Sequence, residues 1–115
     1  MNYNVLVSDE AIEDIFGLVK YIHMELYNPE AAEALYHNLR QEVRNMGDFP
    51  LKFSDSGIRY RGYVIHKKVY ESYLIFYVVN DEKREVYVLR VVKELMNWQK
   101  LLTKVKIYHF SNYKI

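Results

Sequence analysis

Arg59, Arg61, His66, Lys67 and Lys68 form the densest basic stretch of the chain, and with Arg90 and Lys93 they are the side chains best suited to chemistry on a phosphodiester. Cleavage of RNA by its own 2′-hydroxyl needs a base for that proton, cations for the charged phosphorane and an acid for the leaving oxygen. His66 is the nearby group suited to proton transfer at neutral pH, whereas arginine stays charged and lysine acts as a base only when its pKa is depressed. The candidate catalytic pool is therefore Arg61, His66, Lys67, Lys68, Arg90 and Lys93. Strand alternation would put His66 and Lys68 on one face and Lys67 on the other. A plainer reading competes, in which the lysines keep an exposed edge strand soluble. Arg90, set in Val88-Leu89-Arg90-Val91-Val92, needs either solvent on one sheet face or a carboxylate such as Glu71 or Glu85.

Other chemistries find little support. His23, His37 and His109 fit no metal-ligand spacing, there is no cysteine, and the four glycines form neither a phosphate loop nor a nucleophile elbow, so no cofactor and no metal are expected. Of twelve tyrosines, Tyr60, Tyr63, Tyr70, Tyr73, Tyr77 and Tyr87 lie in the basic half. They would suit base stacking, but most are expected to be cross-strand packing.

The elements that must position these groups read as follows. Residues 2–7 predict a strand, and Ser8, ahead of Asp9 and Glu10, predicts a helix cap with carboxylates at the positive end of the helix dipole. Ile12, Ile15, Phe16, Val19, Ile22 and Leu26 then make one apolar helical face, with Glu13, Asp14, Lys20 and Glu25 toward water. Asn28-Pro29 opens a second helix that ends before Gly47 and Pro50, and the short break between the helices predicts an antiparallel hairpin. The pattern then turns β-rich, with strands expected at about 60–68, 70–79 and 85–92 and a polar turn at Asn80-Asp81-Glu82-Lys83. A short helix carrying Leu95, Trp98, Leu101 and Leu102 follows, and the remaining tail reads as strand or disorder. The expected fold is α+β: an N-terminal strand and an α-helical hairpin packed on an antiparallel β-sheet, with a short C-terminal helix.

Residues 1–50 hold three Lys/Arg against nine Asp/Glu, a formal −6, and residues 51–115 hold 13 against six, a formal +7. A basic second half points to an anionic partner, nucleic acid first and an acidic protein segment second. The sequence has no cysteine and no apolar stretch of membrane-spanning length, which predicts a soluble cytoplasmic protein and no membrane partner.

Over residues 1–102 the chain resembles the RelE/ParE toxins of type II toxin–antitoxin (plasmid stabilisation) systems. The resemblance is carried by Ala11-Ile12-Glu13-Asp14-Ile15 with Tyr21-Ile22, Asn28-Pro29-Glu30-Ala31-Ala32 and Asp48-Phe49-Pro50. It continues through Gly62-Tyr63, Tyr73-Leu74-Ile75-Phe76-Tyr77, Val86-Tyr87-Val88-Leu89-Arg90-Val91-Val92 and Trp98 before Leu101-Leu102. It implies the same fold, a cognate antitoxin that wraps the toxin, and one of two targets: RelE-like members cleave messenger RNA on the ribosome and ParE-like members poison DNA gyrase. The first expectation is a ribosome-dependent endoribonuclease using the six-residue pool, and the second is a non-enzymatic gyrase inhibitor. A third, an inactive homologue, follows from Lys93-Glu94-Leu95-Met96-Asn97, where many relatives carry a histidine or tyrosine and then basic residues, and from the added tail 103–115. An acidic amphipathic antitoxin segment would suit the basic, tyrosine-rich half. Self-association as a homodimer through the helical hairpin stays open.

Overall fold

The computed structural model describes residues 2–111. Its elements are β1 (Asn4–Val7), α1 (Asp9–Lys20), a π-helical extension (Tyr21–Glu25), α2 (Pro29–Asn45), β2 (Ser54–Tyr60), β3 (Tyr63–Tyr70), β4 (Tyr73–Asn80), β5 (Glu85–Lys93) and α3 (Trp98–Lys104). Ser8 caps α1: its Oγ accepts the Ala11 amide at 2.9 Å and donates to the Leu89 carbonyl at 2.7 Å, which ties the start of the helix to β5. Asn28 caps α2 through the Ala31 amide, with Pro29 in the first turn.

The sheet order is β1-β5-β4-β3-β2, with β1 parallel to β5 and the other neighbours antiparallel. The sheet is thus mixed, because the helical hairpin carries the chain between β1 and the strands that follow. β2, Ser-Asp-Ser-Gly-Ile-Arg-Tyr, is a strand beyond the three expected in this half, and it forms the far edge of the sheet. Its polar sequence and Gly57 hide it from a hydrophobic pattern. Glu71 and Ser72 turn the chain between β3 and β4, so Tyr70 ends one strand instead of opening the next.

Both sheet faces are covered. On one, α1 and α2 bury Ile15, Leu39 and Val43 against Ile75, Tyr77 and Val88. On the other, α3 and the extended residues 105–111 bury Leu102 and Tyr108 against Ile65, Phe76, Val78 and Leu89. This explains β4, Tyr-Leu-Ile-Phe-Tyr-Val-Val-Asn: a central strand covered on both sides reads as a continuous apolar run and not as an alternation. The expectation of a tail in strand or disorder gives way here to an ordered extended segment as far as Ser111; residues 112–115 lie outside the described residues. The segment is held by Asp9 and Glu10. The Asp9 amide donates to the His109 carbonyl at 2.7 Å, Glu10 accepts the His109 amide and Nδ1 at 3.0 and 2.8 Å, and the Asp9 carboxylate accepts Ser111 Oγ at 2.8 Å.

Candidate functional site

A bulge in β5 organises the arginine. Phe76 faces Arg90 while Tyr77 faces Val88, which leaves Leu89 as the extra residue and shifts the alternation by one. β1 pairs with β5 only as far as Val88, so beyond it the edge of β5 needs other partners. Asp14 supplies one. Its carboxylate accepts Arg90 Nε at 2.7 Å, Arg90 Nη2 at 2.8 Å and the Val91 backbone amide at 3.0 Å. Both side chains are about 15% exposed. The hydrogen bond to Asp14 raises the Arg90 pKa further, against the opposing effect of burial. Neither Glu71 nor Glu85 is the partner; Glu85 accepts the Tyr87 hydroxyl. The carboxylate that matters had been read as water-facing on α1, and a single acid among apolar helix residues gave no sign of a partner 76 residues away.

The other candidates are spread over the molecule. His66 and Lys68 share a face, as alternation predicts, and both touch Phe53: His66 Nδ1 lies 3.0 Å from its carbonyl and Lys68 Nζ 5.0 Å above its ring. A carbonyl only accepts, so in the neutral imidazole Nδ1 carries the proton and Nε2 the lone pair. The ring stacks on Tyr77 with centroids 5.2 Å apart. Lys68 pairs with Glu42 of α2 at 2.5 Å, with both side chains largely buried. Lys67 points to the opposite face, its Nζ 5.0 Å above the Trp98 ring. Lys93 ends β5 over Tyr73, with Nζ 5.2 Å from the ring centroid.

Arg61 stands apart from all of these. It is the first central residue of the two-residue β2–β3 hairpin turn, at φ 52°, with Gly62 at φ 88°. Such a primed turn matches the twist of the strands it joins. Arg61 borders a recess of about 250 Å³ lined also by Tyr60, Tyr63, Val78, Asn80, Tyr87, Tyr108 and Phe110. The last two belong to the tail, which reads in sequence as strand or disorder with no sign of packing here.

Among the described residues no cluster of three or more histidines, cysteines or carboxylates is placed to hold a metal ion, and no helix is long and apolar enough to cross a membrane.

A helical hairpin on a five-stranded sheet, with a short helix on the reverse face, is the architecture of small RelE/ParE-like toxins, and solved structures bear this out. The chain superposes on the ParDE toxin–antitoxin system of P. aeruginosa with a TM-score of 0.65 at 14% identity, over 79% of this chain and 95% of that one. The RelBE2 toxin–antitoxin complex of Mycobacterium tuberculosis gives 0.57 at 19% identity, over 81% and 92%. A double mutant of the E. coli toxin RelE in the free state gives 0.56 at 18% identity, over 91% and 99%. Residues 5–98 match the family model of the ParE toxin of type II toxin–antitoxin systems, parDE, and the chain belongs to that family. No curated protein sequence matches it.

Proposed function

We propose that this toxin acts by binding and not by cleavage, with DNA gyrase as its target and a cognate antitoxin as its restraint. The observation that carries the reading is the dispersal of the six cationic and imidazole candidates. Phosphoryl transfer needs base, cation and acid to converge on one phosphate. Here Arg90 is neutralised by Asp14 and Lys68 by Glu42, Lys67 lies on the reverse face from His66, and Arg61 is in a hairpin turn. Membership of the ParE family supports the same target, since ParE-like toxins poison gyrase. The experiment is a paired assay of the purified full chain: supercoiling of relaxed plasmid by gyrase, and cleavage of messenger RNA on translating ribosomes. Inhibited supercoiling with intact messenger RNA is the expected result. Cleaved messenger RNA with unaffected gyrase would replace this reading with the ribosome-dependent nuclease.

One observation favours that second reading. The Phe53 carbonyl fixes His66 in the tautomer whose Nε2 can accept a proton, as a general base requires. His66→Gln separates the two, because only a nuclease would lose its activity with the fold intact.

A further inference from the structure

Neither gyrase binding nor the tautomer of His66 accounts for the recess beside Arg61. We propose that it is a binding site for a nucleotide unit, taking the base among its aromatic rings and the phosphate on Arg61. Tyr60 and Tyr108 pack edge to face with centroids 5.1 Å apart, Tyr87 and Phe110 do the same at 5.3 Å, and Val78 of β4 is buried. Tyr63 stays 42% exposed. Such a lining accepts a flat ring, because every base has a π-face to offer an aromatic side chain.

The polar groups narrow the ligand. None of the eight lining residues is acidic, and Arg61 has no ion pair among the described residues. An arginine lining an aromatic recess can match a phosphate there through paired N–H donors of its guanidinium. The Asn80 amide donates to the Tyr63 hydroxyl at 3.3 Å, and the Tyr60 hydroxyl accepts the Tyr108 amide at 3.1 Å. A phenyl side chain would leave these groups unused, whereas a heterocyclic base carries donors and acceptors on its edges. The chemistry is the same for a free nucleotide and for one unit of a single strand.

The test titrates the full-length chain with uridine monophosphate, uridine, inorganic phosphate and a short oligouridylate, following the Asn80 side-chain amide by NMR. Uridine monophosphate is expected to shift that signal and to bind about tenfold tighter than uridine or phosphate alone. Arg61→Asn should abolish the advantage of the monophosphate and leave uridine binding unchanged, since asparagine tolerates the left-handed backbone of this turn. A further gain with the oligouridylate assigns the site to a strand, and none assigns it to free nucleotide. An Asn80 signal that ignores all four probes overturns the proposal. So does unchanged affinity in Arg61→Asn, or occupation of the recess by an acidic tyrosine-containing peptide when nucleotides leave it empty.

Discussion

Arg90 of β5 and Asp14 of α1 are joined by two hydrogen bonds, 2.7 and 2.8 Å long, and the same carboxylate continues the edge of β5 where β1 stops by accepting the Val91 amide. The pair locks α1 to the edge of β5. Removing one member of a largely buried pair leaves the other charge uncompensated, so Arg90→Ala and Asp14→Ala are each expected to lose about 3 kcal/mol. Urea unfolding of both variants checks this. If Arg90→Ala abolishes growth arrest, Asp14→Ala should do the same for the same reason. Parental stability in Arg90→Ala would return the arginine to the catalytic candidates.

Lys67 and Lys68 are neighbours in sequence with separate environments. Lys68 reaches Glu42 and Lys67 lies over Trp98 on the reverse face. Lys68→Glu sets two carboxylates together in a largely buried place, so it is expected to destabilise the fold by a few kcal/mol, about 2 or more. Lys67→Glu should leave stability nearly unchanged and slow association with an acidic antitoxin segment, weakening its salt dependence. Stopped-flow association and thermal unfolding distinguish the two effects; equal unfolding midpoints would contradict the assignment of Lys68.

The periodic elements were legible because one physical signal specifies each. Ser8 and Asn28-Pro29 mark helix starts, and the apolar spacing of Ile12, Ile15, Val19, Leu35, Leu39 and Val43 marks the faces that turn inward. β2 was not legible, since an exposed edge strand buries too little to show a pattern. The bulge at Leu89 was hidden as well, because it alters which neighbour a residue meets and not the residue types. That is why Arg90 stood out as needing a partner while Asp14 gave no hint of being it. His66 and Lys68 were placed together correctly by alternation, but alternation is silent on a Glu42 contributed by another element. The second covered face of the sheet escaped for a related reason: Tyr108 and Phe110 lie in a tail without regular structure.

The attachment of that tail should depend on pH. The hydrogen bond that His109 donates to Glu10 raises the His109 pKa above 6.5, with Asp9 adding to it. Burial pushes the Glu10 pKa up, but the His109 side-chain and backbone hydrogen bonds outweigh it and hold the value below 4.5. The histidine contribution is complete below 6.5 and is lost as pH rises through the elevated value. The glutamate contribution is complete above 4.5 and is lost as pH falls through the depressed value. The tail is therefore held most firmly between these limits. NMR signals of Tyr108 and Ser111 should report loosening on the alkaline side of the His109 titration, and His109→Gln should remove that response. A response that survives in His109→Gln would assign it to another group.

Truncation after Lys104 is expected to destabilise the protein, because it removes Tyr108 from the buried cluster it forms with Val78 and Leu89 on the reverse face. Loss of the buried Tyr108 ring alone should cost about 3 kcal/mol. Tyr108→Ala in the full chain checks that share without removing the segment. Binding of a hydrophobic dye should rise in the truncated chain as the unfolding midpoint falls. A truncated chain of parental stability would mean that the tail is an ornament on a sheet stable without it.

Gly47 closes the turn after α2, and its carbonyl accepts the Tyr3 amide at 2.8 Å as the chain enters β1. A Cβ at this position would lie 2.5 Å from the Tyr3 carbonyl oxygen and 3.2 Å from Val5 Cγ2. The first of these is backbone already bound into the pairing between the α2 turn and β1, so it cannot swing aside as a flexible side chain would. Gly47→Ala must therefore separate the turn from β1, at an expected cost of about 2 kcal/mol. Gly17→Ala is the control. A Cβ there meets nothing within 4 Å, and alanine is the better helix former, so that variant should gain about 1 kcal/mol. Thermal unfolding of the two variants side by side should move the midpoint in opposite directions, and a downward shift in both would show that close approach at Gly47 is not what its variant reports.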